Sequence, residues 1–160
     1  MPGATSMGGG TSGGGATQYT GPEPQGEGVE RWRDSVRQTI QQYGPQYGIT
    51  TQQGATNWEN AMMKQIKTES SGNPNADGSK NGDSNAVAGH PSMGLLQFIP
   101  STFNAHNISG GQFMDPHAQM AAFMDYTSKT YGYGGQDTTG HGGQGDPNAG
   151  PNFVGHGHGY

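Results

Sequence analysis

Glu69 and a short apolar segment that follows it are the parts of this chain best suited to acid–base chemistry. Residues 92–103 read SMGLLQFIPSTF and carry one amide side chain, Gln97, among hydrophobic residues. A carboxyl group that stays protonated near neutral pH can donate a proton to a leaving oxygen, as cleavage of a glycosidic bond requires. The two segments together therefore indicate glycosidic-bond cleavage as the chemistry to consider.

Glu69 is expected near the end of an amphipathic helix. We predict that this helix begins with Asn57 as its N-cap and ends at Gly72 and Pro74. Burial on the apolar face and the negative end of the helix dipole would both raise the pKa of Glu69. Taken alone, the residue leaves open a solvated glutamate with no catalytic role. The apolar stripe that leads to it consists of Trp58, Met62 and Ile66.

Two further helices flank this one in the sequence. The first has an apolar face formed by Val29, Trp32, Val36, Ile40 and Tyr43, and we expect Gly44-Pro45 to end it and residues 44–56 to form a loop. The last has Asp115 as N-cap, Pro116 in its first turn, and Lys129 in its last turn before Gly132. Its inner stripe consists of Met120, Phe123, Met124, Thr127 and Tyr131. Pro100 can open a short helix between them.

Composition indicates one small domain between two glycine-rich segments. The chain has 160 residues, of which 31 are glycine, 28% are hydrophobic and only 12% are charged. A chain of this composition cannot bury enough apolar surface to order every residue. We predict a flexible linker over residues 1–28, a catalytic domain over 29–133 and a flexible tail over 134–160. No strand pattern stands out, so the domain is predicted to be mainly α.

Charge and residue content exclude several classes of partner. A net charge of -5 argues against nucleic-acid binding, which needs clustered Lys and Arg. The absence of cysteine removes disulfides and thiolate metal sites. No segment is long and apolar enough to span a bilayer, and the N-terminus has no signal-peptide pattern. We therefore expect no cofactor and no resident metal.

The order of the motifs resembles the soluble lytic transglycosylase family. Residues 69–76 read ESSGNPNA and residues 88–103 read AGHPSMGLLQFIPSTF, and the Asp115-Pro116 helix follows with Tyr126 and Tyr131-Gly132. More closely, this combination looks like the domain embedded in tail tape-measure proteins of phages that infect actinobacteria. The resemblance covers about Val29 to Gly132.

The resemblance implies a fold, an activity and site residues. The fold would be that of goose-type lysozyme and lytic transglycosylases, and the activity would be cleavage of the MurNAc-GlcNAc bond of peptidoglycan without water. Glu69 would be the catalytic acid and base. Ser92, Met93, Gln97 and Tyr126 would bind the glycan, with Leu96 and Phe98 packed around the site. Expected partners are peptidoglycan strands and other phage tail proteins, with the protein in the virion or, alternatively, secreted or periplasmic.

Several alternatives remain open at the level of sequence. Asp77 or Asp83 could act as a second carboxylate and give a hydrolytic, lysozyme-like enzyme or endolysin. A glycan-binding structural tail protein without activity is the alternative of a different class. Gln97 could simply satisfy a backbone group, and Tyr126 could serve in packing.

Two weaker patterns suggest metal binding. Residues 77–83 match the first half of a calcium loop, but Ala88 stands where the bidentate glutamate belongs. His141, His156 and His158 lie among glycines that fix no geometry. His90 and His106 flank the proposed cleft; either could touch glycan, but we expect surface roles. The sequence thus favours a plain polar loop and no metal site.

Overall fold

Four α-helices form the body of the part of the protein that the structure describes. The computed structural model describes residues 18–78, 91–134 and 142–152. In these ranges α1 is Arg33–Tyr43, α2 is Gln52–Ser70, α3 is Pro100–His106 and α4 is Pro116–Thr130. Single 3-10 turns occur at Glu30–Trp32, Gly44–Tyr47 and Pro147–Ala149. The described β-structure consists of isolated bridges, so the mainly α prediction is confirmed.

The α1 helix packs against α2 through its predicted apolar face. Trp32, Val36 and Ile40 are buried in the core, while Val29 and Tyr43 pack at its margin. On the outer side, Glu59 of α2 accepts hydrogen bonds from Arg33 and Arg37 of α1. Ion pairs of this kind at the protein surface contribute little on their own. The apolar contact therefore supplies most of the stabilisation between these two helices.

The α2 helix begins earlier than the sequence suggested. Its N-cap is Thr51, not Asn57, and the Thr51 hydroxyl accepts a hydrogen bond from the Gly54 amide at 2.9 Å. The predicted loop over residues 44–56 is wrong at both ends. Gly44–Tyr47 form a 3-10 turn that closes at Gly48, with φ of 86°, and residues 52–56 belong to the helix. Threonine and asparagine are both favoured N-cap residues, so local sequence alone does not decide between them.

The α4 helix is the central element, and its predicted ends are confirmed. The Asp115 side chain accepts a hydrogen bond from the His117 amide at 3.0 Å, and Gly132 follows the helix with φ of 75°. The residues of the predicted inner stripe from Met120 to Thr127 are all buried, and Tyr131 is partly buried. Most other residues of this helix are buried as well, so it is surrounded by the rest of the fold.

Segments on both sides of the helical body pack onto it. Near the N-terminus, the backbone of Tyr19 pairs with the side-chain amide of Asn75. Near the C-terminus, the Trp58 indole donates to the Pro147 carbonyl at 2.8 Å, and Asn57 donates to the Asn148 carbonyl at 2.8 Å. Residues 18–28 and 142–152 are thus described and contact the helical body, and the flexibility predicted for 1–28 and 134–160 stays a prediction. The remaining residues of those predicted segments lie outside the described ranges.

Candidate active site

Glu69 lies in the last turn of α2, as predicted, and is half-buried. The side chain of Gln65, one turn earlier and fully buried, donates a hydrogen bond to Glu69 Oε2 at 2.9 Å. Gln65 was not predicted as a site residue, although a glutamine four residues before the acid on the same helical face is a recognisable signal. Gln65 orients the carboxyl group from within the core.

The chain turns sharply immediately after Glu69. Ser71 and Gly72 both adopt the left-handed conformation, with φ of 53° and 88°. A Cβ on Gly72 would meet the carbonyl of Gly28, so glycine is required there on two grounds. The Gly72 carbonyl accepts hydrogen bonds from the Trp32 indole at 2.8 Å and from Arg31 at 3.0 Å. These bonds fix the end of the helix that carries Glu69.

The segment after this turn pairs with the second predicted part of the site. Asp77 forms an antiparallel bridge with Met93. The Gly94 amide donates to the Ala76 carbonyl at 2.9 Å, and the Gly78 amide donates to the Ser92 carbonyl at 2.8 Å. Residues 76–78 and 92–94 are thereby held together. The structure brings the two sequence segments that carried the prediction into one region.

Residues 93–98 form a tight turn, which we call the glutamine turn. The Met93 amide donates to the Phe98 carbonyl at 3.0 Å, and the Gln97 amide donates to the Gly94 carbonyl at 3.2 Å. Gly94 has φ of 90° and Gln97 has φ of 56°. A left-handed conformation costs a non-glycine residue on the order of 1 kcal/mol, and it persists because the surrounding contacts enforce it.

The Gln97 side chain is one of those contacts. Its amide nitrogen donates to the carbonyls of Ala76 and Gly94, both at 2.9 Å, and its Oε1 accepts from the Ser92 hydroxyl at 3.2 Å. Gln97 and Ser92 are each only 3% exposed. Both donors of Gln97 are thus used within the protein, which is the backbone-satisfying alternative that the sequence left open. Ser92 and Gln97 hold the glutamine turn in shape.

A second buried glutamine, Gln119 of α4, fastens this turn from the other side. Its Oε1 accepts from the Leu96 amide at 2.8 Å, and its amide nitrogen donates to the carbonyls of Met93 at 3.1 Å and Phe113 at 2.8 Å. A Cβ on Gly94 would collide with the Gln119 amide, which explains the glycine. Gln119 was not predicted as a site residue. The sequence signal for it was a polar side chain beside Met120 on a helix with a buried face.

Tyr126 extends from α4 toward the glutamine turn. Its half-buried ring meets Phe98 edge-on at 6.2 Å between centroids and Tyr131 at 5.8 Å. The hydroxyl groups of Tyr126 and Tyr131 lie 3.5 Å apart. Burial and, to a smaller extent, the contact with Tyr131 raise the pKa of Tyr126, so its hydroxyl stays protonated at neutral pH. Met93 is partly exposed at the same turn, above the buried Leu96 and Phe98.

Asp125 forms a buried polar cluster next to this region. It accepts hydrogen bonds from the Tyr47 hydroxyl at 2.7 Å and Lys129 at 3.0 Å, and His106 Nδ1 lies 2.7 Å from its other oxygen. Burial opposes ionisation, but these partners outweigh it and lower the pKa of Asp125. The expected surface role of His106 is wrong, because its side chain is only 16% exposed and is paired with this carboxylate.

Four acids that follow Glu69 in the sequence either have other contacts or lie outside the described residues. Asp115 caps α4, Asp125 is held in its cluster, and Asp77 lies at the bridge to Met93. Asp83 lies outside the described residues, as do Ala88, His90 and the tail histidines. Within the described ranges, no group of three or more His, Asp or Glu side chains could hold a metal ion, and no helix is long and apolar enough to cross a membrane.

The helical body thus carries an acid in the last turn of α2 and pairs the segment that follows it with the glutamine turn. The family model for the transglycosylase SLT domain matches residues 46–138, which include Glu69, the glutamine turn and Tyr126. The chain belongs to this family, whose members are glycosidic-bond lyases acting on peptidoglycan. The lysozyme-like fold prediction is confirmed.

One relative shares part of this domain. The chain is 46% identical over 76 residues to YqbO of Bacillus subtilis strain 168, which is described only as an uncharacterized protein. The match covers 47% of this chain and 5% of YqbO, so the domain there is a small part of a much longer protein. No solved structure matches the chain.

Proposed function

We propose that this protein is a lytic transglycosylase that cleaves the MurNAc-GlcNAc β-1,4 bond of peptidoglycan and forms 1,6-anhydroMurNAc ends. The observation that carries the proposal is the position of Glu69, which is half-buried at the end of α2 and oriented by Gln65. A carboxyl group in this setting is partly desolvated yet accessible, as a general acid must be.

In the proposed reaction Glu69 acts twice. Its carboxyl proton passes to the glycosidic oxygen while the bond from that oxygen to C1 of MurNAc breaks, and GlcNAc leaves with a free hydroxyl. The resulting carboxylate then takes the proton from the C6 hydroxyl of the same MurNAc as O6 bonds to C1. Glu69 ends protonated and no water is consumed, so the reaction needs only one carboxyl group.

The remaining site residues have supporting roles in this proposal. Met93 and Tyr126 are the predicted glycan-binding residues with exposed surface, and the Tyr126 hydroxyl can donate to the sugar or to Glu69. Ser92 and Gln97 act mainly by fixing the glutamine turn, since their side chains bond to each other and to the backbone. A direct hydrogen bond from either to the sugar remains a prediction.

Hydrolysis is the second candidate, and the bridge between Asp77 and Met93 is the observation that favours it. This bridge holds Asp77 beside the glutamine turn, where a second carboxylate could activate water. The two reactions leave different ends: hydrolysis gives reducing MurNAc, and the transglycosylase reaction gives anhydroMurNAc.

Mass spectrometry of digested peptidoglycan tests both candidates. The native protein is compared with Glu69→Gln, which keeps the size of the side chain but cannot donate the proton, and with Asp77→Asn as matched control. We expect anhydro ends from the native protein and from Asp77→Asn, and none from Glu69→Gln. Reducing ends that require both acids would establish hydrolysis instead. Equal digestion by native protein and Glu69→Gln would refute the role of Glu69.

We further propose that the protein is a phage tail component that opens the host cell wall during genome entry. The resemblance to tape-measure domains and the occurrence of a similar segment within the long YqbO chain support this setting. Tail proteins would then be its partners, and the virion its location. Mass spectrometry of purified virions should find peptides of this chain, and their absence would favour a secreted or periplasmic enzyme or a free endolysin.

A further inference from the structure

His106 contacts two consecutive residues of α4. Its Nδ1 lies 2.7 Å from Asp125 Oδ2, and its ring meets the Tyr126 ring edge-on, with centroids 5.3 Å apart and an interplanar angle of 78°. Consecutive side chains on an α-helix point in directions about 100° apart. The His106 imidazole therefore lies between the buried carboxylate of Asp125 and the ring of Tyr126, a proposed glycan-binding residue.

The hydrogen bond to Asp125 restricts the orientation of the His106 imidazole, whereas the Tyr126 ring is held by ring contacts. Asp125 is itself anchored by the Tyr47 hydroxyl and by Lys129, so the carboxylate that holds His106 has little freedom. The rings of Phe98 and Tyr131 also contact Tyr126 edge-on. His106 differs from these two rings because it is bonded to a buried carboxylate.

We propose that His106, held by Asp125, is a positioning residue that sets the ring orientation of Tyr126 in the active site. His106 is the last residue of α3, and α3 follows directly from the glutamine turn. This inference rests on the proposed function only where activity is the readout, because the orientation of Tyr126 can be measured independently.

Three variants separate positioning from a merely structural role. His106→Ala removes both the ring contact and the bond to Asp125. His106→Phe keeps a ring beside Tyr126 but cannot bond to Asp125. Tyr47→Phe is the matched control, because it removes a different hydrogen bond to Asp125 while Lys129 and His106 keep their contacts with that carboxylate. All three are made in the full chain, and melting temperature and kcat on peptidoglycan are measured for each.

We expect the melting temperature to fall in all three variants, and kcat to fall in His106→Ala, to fall less in His106→Phe and to stay unchanged in Tyr47→Phe. The expected loss in kcat for His106→Ala is about three- to tenfold, the size of one aromatic edge contact, and His106→Phe should recover only part of it, because its ring lacks the bond to Asp125. In a Tyr126→Phe background, His106→Ala should cause no additional loss. A kcat that follows melting temperature across the three variants, or an unchanged kcat in His106→Ala, would overturn the proposal.

Fluorine NMR of 3-fluorotyrosine at position 126 gives a readout that does not need activity. We expect His106→Ala to shift and broaden the signal of residue 126, and Tyr47→Phe to leave it in place. If the native protein proves inactive but this pattern is observed, the proposed function fails and the positioning contact stands. An unchanged signal in His106→Ala refutes the positioning contact whatever the activity.

Discussion

Asn148 should be a major determinant of stability, although it lies in a segment that reads as a flexible tail. Its side chain makes five hydrogen bonds to the loop that precedes α2, with partners in Gly48, Thr50 and Thr51. Its carbonyl also accepts from Asn57. Because Thr51 is the N-cap of α2, Asn148 fixes the start of the helix that ends at Glu69.

The expected effect of Asn148→Ala follows from these bonds. A hydrogen bond contributes about 0.5–1.5 kcal/mol net, and water can replace part of this set because several of the partners are exposed. We therefore expect a loss of about 1–2 kcal/mol in the free energy of unfolding. For a domain of this size that corresponds to a fall of about 4–8 °C in melting temperature.

Asn148→Asp is the matched variant for this experiment. It keeps the oxygen that accepts from Thr50 and Thr51 and loses only the donors to Gly48 and Thr50. Its charge would also lie near the positive end of the α2 dipole. Calorimetry should thus show a smaller fall for Asn148→Asp than for Asn148→Ala. A melting temperature for Asn148→Ala within about 1 °C of the native protein would refute the reasoning.

Three further outcomes are expected. Gln65→Met should lower kcat about three- to tenfold with little change in KM, because Glu69 loses the amide that orients it; unchanged steady-state kinetics would contradict this. Trp32→Phe should cost about 1–3 kcal/mol in denaturant unfolding, since the buried Gly72 carbonyl loses its indole donor; a value near zero would show that Arg31 suffices. The pKa of Asp125 is lowered in the folded state, so its contribution is present above the pKa of the unfolded chain and is lost as pH falls through the lower folded value. The melting temperature of Asp125→Asn should consequently fall less below about pH 4 than that of the native protein, and equal slopes would contradict the assignment.

Local sequence predicted the elements whose ends and faces are encoded by neighbouring residues. Asp115, Pro116 and Gly132 define α4 because a cap, a first-turn proline and a left-handed glycine each act within one helical turn. The stripe ending in Ile66 placed Glu69 at the end of α2 for the same reason. The family resemblance then identified the expected fold and substrate class from the order of the motifs.

Contacts between distant residues were beyond the reach of these arguments. The choice of Thr51 over Asn57 as N-cap is stabilised by Asn148, and the sequence around either cap does not contain that information. The same holds for Gln119, whose partners lie in the glutamine turn and at Phe113. A polar residue on a buried helix face indicates that it has hydrogen-bond partners, but the sequence does not indicate which residues these are.

The sequence by itself determined a helical domain with one acid at a helix end and, after it, an apolar segment that carries one glutamine. Tertiary structure decided how those parts are held: Gln97 faces the backbone, Gln65 orients Glu69, and His106 joins Asp125 to Tyr126. The physical reason is the distance along the chain over which each interaction acts. Capping and periodicity act over a few residues, whereas buried hydrogen bonds are satisfied by whichever groups the fold brings within reach.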